Sequence, residues 1–586
     1  MPSYKSISRT EIKALALSQQ PDKPLALALE VSGPDPLKDS ILSVAWSDGS
    51  PEPYWFQLTG DADLKALSRF LSSRPVILYD AARCSAFLRQ SGINPKVIGD
   101  PKLMLFALNP IEALDLDSVC TKRLSLDLNL PANPDPIESG AIETSPTNLL
   151  TESGATFKGV ANAIFYLYNR IQKCLDWASN TYRSELEVFS LCTDMFLGGI
   201  RVSLPILQDK ISVLEASIAS QEAFLHEKAK EFLPNGVQGK AKSVNWGSPK
   251  DVGEILSSVG VPLSNHTAGG KLSVRKDVLA QLYDTHPLIP LILTLRHTVK
   301  LAGIARTLRK FYNEKTGAIH AEWLSTGVPT ARFRSRNPNL QQIPEALRSA
   351  FIPRPGHYFI GLDYDQLEYR ILAACAGETT LVEAFLRGED IHTKTASMLL
   401  GVLLGDIVPE QRAMGKQLGY SQLYGSGASG LAHKLNISKK KAQALLTQYF
   451  AAVPKLVAFL ETLRQRALSQ GYVASYYGRR RPLPEIYSVN PKIQAFGLRS
   501  AVNGYCQSTA ADVAKQAMVR VDKVLKRFNA FMLVQLHDGL LLEVPDTVPL
   551  KEILPELKDA METEILGLPL TVSASWGHNW HDLKKL

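Results

Sequence analysis

The segment Tyr358–Arg370, with the sequence YFIGLDYDQLEYR, constrains the fold and chemistry of this chain more than any other. An apolar run ends at Asp363, and two more acids, Asp365 and Glu368, follow it. A short apolar run of this kind is typical of a buried strand. The sequence therefore predicts that a strand carries Asp363 to its end, next to further negative charge.

A second segment, Leu533–Val544, sets His537, Asp538 and Gly539 between two apolar runs. Asp-Gly between β-rich segments is a strong hairpin signal. If the two segments are neighbouring strands, Asp363 and Asp538 point into the same space and repel one another unless cations lie between them. Mg²⁺ is the natural oxygen-liganded candidate, and two-metal sites hold their ions ~4 Å apart to promote phosphoryl transfer. The alternative is a surface acid and an unrelated turn residue.

A third segment, QRAMGKQLGYSQLYG, lies between these two. Its Arg412, Lys416, Tyr420 and Tyr424 recur every fourth residue, which predicts one face of a helix with two cations followed by two aromatics. Cations suit a triphosphate, and an aromatic ring suits a sugar or a stacked base. An ordinary amphipathic helix with a solvated basic end is the alternative.

In their order and separations, DYDQLEYR, RAMGKQLGYSQLYG and QLHDG resemble motifs A, B and C of family A DNA polymerases, the DNA polymerase I type. The resemblance extends over residues 182–586 and includes ARFRSRNPNLQQIP, DIHTKTA, YGRRRPLP, RSAVNGYCQSTAAD and SWGHNWHDLK. It implies an α/β multi-domain fold, a right-hand polymerase preceded by an RNase H-like exonuclease-type domain. The implied domains are 1–181 (exonuclease-like), 182–310 (thumb), 311–375 (palm, first part), 376–489 (fingers) and 490–586 (palm, second part).

The resemblance also implies a template-directed DNA polymerase that adds deoxynucleotides to a primer 3′ end on primer-template DNA. Asp363 and Asp538 would be catalytic and bind two Mg²⁺ ions, with the carbonyl of Tyr364 as a further ligand and Mn²⁺ as a possible substitute. The implied nucleotide-binding residues are Arg412, Lys416, Tyr420, His392, Glu368 and Gln366. The implied DNA-binding residues are Arg332, Tyr424, Arg499, Asn503, Gln507, His537 and Arg481.

Individual roles follow from the matched positions. Glu368 corresponds to the family's steric gate, which fills the space that a ribose 2′-oxygen needs. Tyr420 stands where many members have Phe, so poor discrimination against dideoxynucleotides is expected. His392 corresponds to a phosphate contact, with a packing role at a helix start as the alternative.

The first 180 residues combine short apolar runs (LALALEV, ILSVAW, PVILYD) with helical stretches, an α/β pattern. This part resembles a 3′ to 5′ proofreading domain whose acids are largely replaced. The degenerate positions are Ala28, Glu30 (the one surviving acid), Cys84 and Asn162. Two-metal hydrolysis needs clustered carboxylates, so a proofreading fold without proofreading chemistry is expected, unless Asp80 or Asp35 substitutes. No preceding 5′ nuclease domain is expected.

Motif C departs from the family pattern. Gly539 replaces the usual Glu, and Asp365 replaces the usual Ser of motif A. We expect activity to survive, with Asp365 or Glu543 contributing charge. Gly415 and Gly419 lie inside the predicted helix and are expected to make it easier to bend.

Composition agrees with an ordinary globular chain, since 45% of residues are hydrophobic and 21% charged. The net charge of +8 suits a polyanionic partner. We expect no apolar run long enough to cross a bilayer and no secretory signal. An intracellular monomer, cytoplasmic or nucleoid, without membrane contact is therefore predicted. The six cysteines are scattered, which argues against a structural zinc site.

Two other functions stay open. One is a catalytically impaired relative that acts as a DNA-binding module. This alternative stays open because Gly539 replaces the usual Glu of motif C. A metal-dependent nuclease is disfavoured, because the lost carboxylates are concentrated in the exonuclease-like part.

Overall fold

The computed structural model describes residues 4–17, 22–72, 74–124, 154–233, 244–263, 272–423 and 427–586. Its first part is built around a six-stranded sheet in the order β1-β4-β3-β2-β5-β6. The strands are β1 (Lys5–Ser6), β2 (Leu25–Val31), β3 (Ile41–Ser47), β4 (Tyr54–Gln57), β5 (Pro75–Leu78) and β6 (Lys96–Gly99). The helices are α1 (Arg9–Leu17), α2 (Asp61–Ser72), α3 (Ala81–Gln90), α4 (Pro101–Leu108), α5 (Leu116–Leu124) and α6 (Gly154–Gln172).

The sequence identified the central strands of this N-terminal unit because they are almost continuously apolar. The predicted segments LALALEV, ILSVAW and PVILYD are β2, β3 and β5. β2 pairs antiparallel with β3 and parallel with β5. Nearly every residue of β2 is buried, as expected for a strand covered on both faces of its sheet.

A mainly helical segment follows. It contains α7 (Ser179–Gly198), β7 (Ile200–Arg201), α8 (Leu204–Phe232), α9 (Pro249–Ser258), α10 (Lys276–Gln281) and α11 (Leu288–Lys310). The long helices α8 and α11 pack together, and they share a core that includes Leu225, Ile289 and Ile292. The sequence predicted these long helices from their apolar periodicity.

The expectation about apolar runs is wrong for one helix. Within the described residues, Leu288–Lys310 is long and apolar enough by composition to cross a membrane. A further candidate arises only if two helices, Lys439–Ala452 and Pro454–Gln470, which meet at 101°, count as one span. α11 instead buries Ile289, Ile292 and Leu295 in the core that it shares with α8, and the core helix of a globular unit passes the same composition test.

The rest of the chain forms a central sheet interrupted by a helical insertion. Its first elements are β8 (Tyr312–Asn313), β9 (Ala318–Ile319), β10 (Glu322–Leu324), β11 (Arg334–Arg336), α12 (Glu345–Arg348), β12 (His357–Tyr364) and α13 (Leu367–Ala376). The insertion contains α14 (Thr379–Leu386), α15 (Ile391–Leu400), α16 (Pro409–Leu423), α17 (Ala428–Leu435), α18 (Lys439–Ala452) and α19 (Pro454–Gln470).

After the insertion the chain returns to the central sheet. The remaining elements are β13 (Tyr472–Ala474), β14 (Arg480–Pro482), α20 (Pro491–Arg527), β15 (Phe531–Leu536), β16 (Gly539–Pro545), α21 (Leu550–Met561), β17 (Thr563–Ile565), β18 (Leu568–Leu570), β19 (Val572–Gly577) and β20 (Lys584–Lys585). The central sheet has the order β15-β16-β12-β19-β20. It packs with α13 and α20 in the largest hydrophobic core.

A fully buried cluster of four charges connects these parts. Lys515 Nζ lies 2.5 Å from Glu185 Oε1, Arg479 Nη2 lies 2.7 Å from the same oxygen, and Arg479 Nε donates to Asp512 Oδ1 at 2.8 Å. Burial alone would raise the pKa of the Glu185 carboxyl, but Lys515 and Arg479 lower it below its ordinary value. The cluster joins α7 to α20 and to the turn between β13 and β14. The centroid of the Phe106 ring, in the N-terminal unit, lies 5.8 Å from Lys515 Nζ.

Candidate active site

Two strand ends of the central sheet bring the predicted catalytic acids together. β12 pairs antiparallel with β16, and Asp363 is opposite Gly539. β15 and β16 form the predicted hairpin, so that Asp538 lies in its two-residue loop. The amide N–H of Tyr364 donates to the carbonyl of Asp538 at 3.3 Å. The prediction that the two segments are neighbouring strands is confirmed, and both carboxylates lie at the same edge of the sheet.

The two carboxylates lie in an electrostatically unfavourable pair. The Asp363 residue is exposed. Partial burial of its carboxyl group by the surrounding residues, together with the negative charge of Asp538, nevertheless raises its pKa to about 6. Burial also raises the pKa of Asp538, against the opposing charges of Arg332 and His537. Among the residues that the structure describes, no cation forms an ion pair with Asp363. A bound cation would relieve this repulsion.

The donor set fits Mg²⁺, since hard carboxylate and carbonyl oxygens are the ligands that this ion prefers. The described part of the chain contains no group of three or more His, Cys, Asp or Glu side chains arranged around one metal position. Asp363 and Asp538 would therefore share the ions with backbone oxygens and with oxygens of bound ligands, as Mg²⁺ sites at phosphates commonly do.

Gln535 fixes the turn that carries Asp538. Its buried side-chain amide donates to the carbonyl of His537 at 2.6 Å, and its amide oxygen accepts from Gln341 at 2.7 Å. His537 has a left-handed backbone conformation with φ of 48°, which is uncommon for a residue other than glycine. Sequence reasoning missed Gln535, although a polar residue inside the apolar run before His537 was the available signal.

Gly539 permits a close approach between the two strands. A Cβ atom at this position would lie 2.6 Å from the carbonyl oxygen of Leu362 and 2.7 Å from Asp363 Oδ1. The glycine therefore leaves the Asp363 carboxylate in the space that a side chain at residue 539 would enter.

The expectation that Glu543 contributes charge to this site is wrong. Glu543 is opposite Phe359, four residues along the strand from Gly539, and it is buried in an ion pair with Arg354. Asp365 remains near the site, because its charge contributes to the raised pKa of Asp363. The Thr571 hydroxyl donates to the Asp365 carboxylate at 3.1 Å and holds it in place.

Glu368 and Arg332 form an ion pair that sequence reasoning did not anticipate. Glu368 is buried at the start of α13, and the Arg332 guanidinium contacts its carboxylate. Arg332 also lines a cavity of about 30 Å³ with His537 and Asp538. One cation thus connects the predicted steric gate to the strand ends that carry the predicted catalytic acids.

The predicted cationic helix is α16, and the structure shows how it is anchored. Asp390 caps α15 by accepting from the Thr393 N–H at 2.7 Å, and it accepts two hydrogen bonds from Arg412, at 3.0 and 2.7 Å. Sequence reasoning missed Asp390, although Asp directly before a helical segment is a helix-start signal. Lys416 is exposed. His392 is buried, and this burial lowers its pKa below the ordinary value.

Gly415 lets α16 pack closely against α15. A Cβ atom there would lie 2.3 Å from the carbonyl oxygen of His392 and 2.9 Å from the amide nitrogen of Ala396. The sequence interpretation was that the two glycines ease bending. At Gly415 the structure gives a different reason, which is the short distance between the two helix backbones.

The change Gly415→Ala should lower the free energy of unfolding by about 1–3 kcal/mol, because overpacking outweighs the better helix propensity of Ala. Gly419→Ala is the matched control in the same helix, since the nearest atom to its Cβ would be a ring carbon of Tyr369 at 3.3 Å. That contact is far less close than the 2.3 Å backbone contact at Gly415, so we expect a smaller effect. Urea unfolding of both variants measures the difference, and equal stabilities would contradict the packing argument.

The predicted DNA-binding residues of α20 lie on one face. Arg499 is exposed, Asn503 and Gln507 are half-buried, and Ala511, the next residue at four-residue spacing, lines the same small cavity as Asp538. Arg481 donates to the carbonyl of Ser500 at 3.3 Å and packs against this helix.

Two buried amide oxygens near these residues lack a partner. Among the residues that are described, nothing donates to Asn503 Oδ1 or to Gln366 Oε1. Buried polar atoms are normally hydrogen-bonded, so each of these residues keeps an unused acceptor in this structure. Gln366 has a left-handed conformation with φ of 56° at the residue before α13. Tyr424 lies outside the described residues, and so does the side chain of Tyr420.

The degenerate exonuclease positions are occupied by groups with local partners. Glu30 on β2 accepts a hydrogen bond from the Ser43 hydroxyl. The Cys84 thiol donates to the Tyr79 carbonyl at 3.3 Å, and burial raises its pKa to about 12. Asn162 donates to the carbonyl of Pro51 at 3.0 Å, and Ala28 is buried in β2.

The two acids considered as substitutes are also engaged. Asp80 is held by Lys102, with Oδ2 and Nζ 2.8 Å apart, and Asp35 is held by Lys38 at 2.9 Å. Neither joins Glu30 in a three-member metal-binding group within the described ranges.

Comparison with known proteins agrees with the geometry. The sequence model of DNA polymerase family A matches residues 215–582. DNA polymerase I of Geobacillus stearothermophilus is 30% identical over 577 residues, covering 95% of this chain and 64% of that protein. DNA polymerase I of Pseudomonas aeruginosa is 36% identical over 350 residues, covering 58% of this chain and 38% of that protein. The chain thus spans between about a third and two thirds of the length of these curated relatives.

A solved structure extends the likeness to the whole fold. The POL domain of Pol1 from M. smegmatis, in complex with DNA primer-template and dNTP, superimposes with a TM-score of 0.85 at 26% sequence identity. The match covers 98% of this chain and 99% of that one. The predicted fold class, a right-hand polymerase preceded by an α/β domain, is confirmed. These matches agree with the strand ends that carry Asp363 and Asp538 and with the cationic helix α16. The chain therefore belongs to DNA polymerase family A.

Proposed function

We propose that this chain is a template-directed DNA polymerase that adds deoxynucleotides to a primer 3′ end, and that it works as a monomer inside the cell. The observation that carries the proposal is the pair Asp363 and Asp538 at adjacent strand ends of the central sheet, where no described cation pairs with Asp363. Family membership and the likeness to a domain solved with primer-template and dNTP support the same reaction.

Asp363 and Asp538 would hold two Mg²⁺ ions, with the Tyr364 carbonyl as a further ligand, and Mn²⁺ could substitute. Bound there, the ions would supply Lewis acidity that activates the primer 3′-hydroxyl and neutralises the triphosphate. The protein's own contribution is positional. The β12–β16 pairing and the Gln535 amide keep the two carboxylates at one place on a rigid sheet, which favours a pre-organised site.

Arg412 and Lys416 would bind the β- and γ-phosphates of the incoming nucleotide. Lys416 is exposed on α16 and ready to pair with an anion, whereas Arg412 is held by Asp390. His392 is buried behind them, so its contact with a phosphate would require the helices α15 and α16 to move. We propose that a triphosphate competes with Asp390 for Arg412 and thereby draws α16 toward the strand ends.

Glu368 would act as the steric gate against ribonucleotides. Its carboxylate is buried and held by Arg332, so it cannot swing away freely when a ribose 2′-hydroxyl approaches. The amide oxygen of Gln366, which has no partner within the described residues, lies just before it in the chain.

The face of α20 that carries Arg499, Asn503 and Gln507 would lie along the primer-template duplex, together with Arg332, His537, Arg481 and Tyr424. Minor-groove acceptors are nearly the same for every base pair, so such contacts test shape without reading sequence. The side-chain N–H groups of Asn503 and Gln507 would donate to these acceptors.

We also propose that the enzyme lacks proofreading. Three of the four exonuclease positions carry no carboxylate, and the remaining acid, Glu30, is engaged by Ser43. Asp80 and Asp35 are paired with lysines. Among the described residues of this domain, two-metal hydrolysis has no ready set of ligands.

A labelled primer-template tests the function. Primer lengthening with Mg²⁺ and four deoxynucleotides supports the polymerase. Tight binding without lengthening would favour the DNA-binding module, for which the missing motif C acid at Gly539 is the specific argument. Shortening of a primer with a mispaired 3′ end would contradict the absence of proofreading.

Tyr420 provides a separate prediction. The change Tyr420→Phe should increase discrimination against dideoxynucleotides, because the hydroxyl of Tyr can replace the hydrogen bond that the missing 3′-oxygen otherwise supplies. One such hydrogen bond is worth about 1 kcal/mol, or several-fold in selectivity. Competition between dideoxynucleotides and deoxynucleotides in primer extension measures it, and equal rejection by both proteins would refute the idea.

A further inference from the structure

Two side-chain amides connect the turn that carries Asp538 to a segment that lies 194 residues before Gln535. The Gln341 side-chain nitrogen donates to Gln535 Oε1 at 2.7 Å and to the backbone carbonyl of Gln535 at 3.2 Å. The Gln535 side-chain nitrogen then donates to the carbonyl of His537 at 2.6 Å. We call these contacts the amide chain. His537 is the residue before Asp538, so the amide chain reaches the backbone directly beside a predicted catalytic acid.

The orientation of the Gln535 amide depends on Gln341. Gln535 lies on β15 with only 3% of the residue exposed. A buried amide is fixed in one orientation when its oxygen accepts and its nitrogen donates. Among the described residues, Gln341 is the one donor to Gln535 Oε1. Without Gln341 this oxygen would be buried and unpaired, which is unfavourable, and the hydrogen bond to His537 would lose its support.

Gln341 is held in place by its own segment. It belongs to a short 3₁₀ helix, Leu340–Gln342, and the Asn339 side chain caps this helix by accepting from the Gln341 backbone N–H at 3.0 Å. The Ser335 hydroxyl accepts from the backbone N–H of Leu340 at 3.1 Å, and both of these residues are buried. The amide chain therefore starts from a fixed position.

The donors of the Gln341 amide are used inside the protein. Its nitrogen carries two hydrogens, and its two acceptors are both on Gln535. Arg332 belongs to the same stretch of chain, and it lines the same small cavity as Gln341, His537 and Asp538. One stretch of backbone thus carries a proposed DNA contact, Arg332, and the anchor of the Asp538 turn. The contacts of the Gln341 nitrogen fit the second of these roles.

We propose that Gln341 is a positioning residue for the metal site. Acting through Gln535, it holds the Asp538 turn where the carboxylates of Asp538 and Asp363 can share cations. Hydrogen bonds that orient a metal ligand from outside typically contribute about 10- to 100-fold in metal affinity or activity, and Mg²⁺ demands nearly ideal geometry. This inference rests on the proposed polymerase function.

Hydrogen exchange tests the position of the turn without any metal or DNA. In Gln341→Met, which keeps the side-chain length but removes the amide, the backbone N–H groups of Leu536–Gly539 should exchange at least about fivefold faster than in the wild type. A change of this size is expected for the loss of one hydrogen bond. Mass spectrometry of the peptide that contains the turn measures it.

The Mg²⁺ requirement tests the consequence for the site. The Mg²⁺ concentration for half-maximal single-nucleotide incorporation should rise at least about fivefold in Gln341→Met and at least about tenfold in Gln535→Met. The double variant should stay within about twofold of Gln535→Met, because Gln341 acts through Gln535. The dissociation constant for primer-template should stay within about twofold of the wild-type value in all three variants.

Two further variants complete the design. Gln341→Asn keeps the amide but shortens the side chain by one methylene, so it should behave like Gln341→Met and keeps the test valid if that variant fails to fold. Gln443→Met is the matched control, because Gln443 is an exposed glutamine on α18. It should match the wild type in hydrogen exchange, in the Mg²⁺ requirement and in DNA binding.

Three outcomes would overturn the proposal. The first is unchanged exchange at the turn in both Gln341 variants. The second is a double variant whose loss equals the product of the two single losses, since Gln341 would then act independently of Gln535. The third is weaker primer-template binding with an unchanged Mg²⁺ requirement, which would make Gln341 a DNA contact. If the wild type failed to extend primers while exchange still rose in Gln341→Met, the proposed function would be wrong, but the role of Gln341 in holding the turn would be supported.

Discussion

Asp538→Asn should reduce the rate of primer extension by at least about a thousandfold while leaving DNA binding intact. The substitution removes one negative charge and one oxygen donor from a site where Mg²⁺ is expected to stabilise the transition state by several kcal/mol, and about 4 kcal/mol corresponds to a thousandfold. Asn has nearly the same shape as Asp, and the hairpin contact at residue 538 uses its backbone carbonyl. The turn should therefore persist. Asp363→Asn should have a similar effect.

Single-nucleotide incorporation under saturating primer-template measures this loss, and a DNA-binding titration of the same proteins shows whether the fold and the duplex site survive. Asp546→Asn is the matched control, because Asp546 is an exposed acid just beyond the other end of β16. It should extend primers at the wild-type rate. If Asp538→Asn or Asp363→Asn also extended primers at that rate, the two-metal site at the strand ends would be wrong.

The strand ends could be predicted because their signals are local. The apolar run before Asp363 and the Asp-Gly turn at Asp538 each specify an element, and antiparallel pairing then brings the two acids to one edge. Glu543 illustrates the limit of this reasoning. It is four residues beyond Gly539, and because a strand rises about 3.3 Å per residue, it lies about 13 Å along the sheet. Glu543 is therefore close to Gly539 in sequence but far from it in space, because the segment between them is an extended strand.

Contacts between distant segments could not be predicted in the same way. The ion pair of Arg332 with Glu368 and the anchoring of Arg412 by Asp390 depend on how separate elements pack. The packing reason for Gly415 likewise requires the position of the His392 carbonyl on a neighbouring helix. A sequence pattern specifies the face of a helix on which a residue lies, but not the atom that it meets.

The buried charge cluster between α7 and α20 is the second place where a single change should have a large effect. Lys515→Met should lower the free energy of unfolding by about 3–5 kcal/mol, because removing one member of a buried ion pair leaves an uncompensated charge in the interior. Lys515 and Glu185 are both completely buried, with 0% of each side chain exposed. The Lys515 ammonium also donates to the carbonyl of Ser325 at 3.0 Å, so the change also removes a hydrogen bond to the residue that follows β10.

A compensating variant identifies charge, rather than packing, as the cause. Glu185→Leu/Lys515→Met removes both members of the pair and restores neutrality with side chains of similar size, so it should recover a large part of the loss. Lys250→Met is the matched control, since Lys250 and Glu254 are 3.9 Å apart with 75% and 62% of their side chains exposed. An exposed pair contributes little, so the change there should stay within about 0.5 kcal/mol. Urea unfolding of the three variants distinguishes the cases. If the single and double variants lost the same free energy of unfolding, the cluster would stabilise the fold through shape alone. If Lys515→Met lost no more than Lys250→Met, the cluster would not hold α7 against α20.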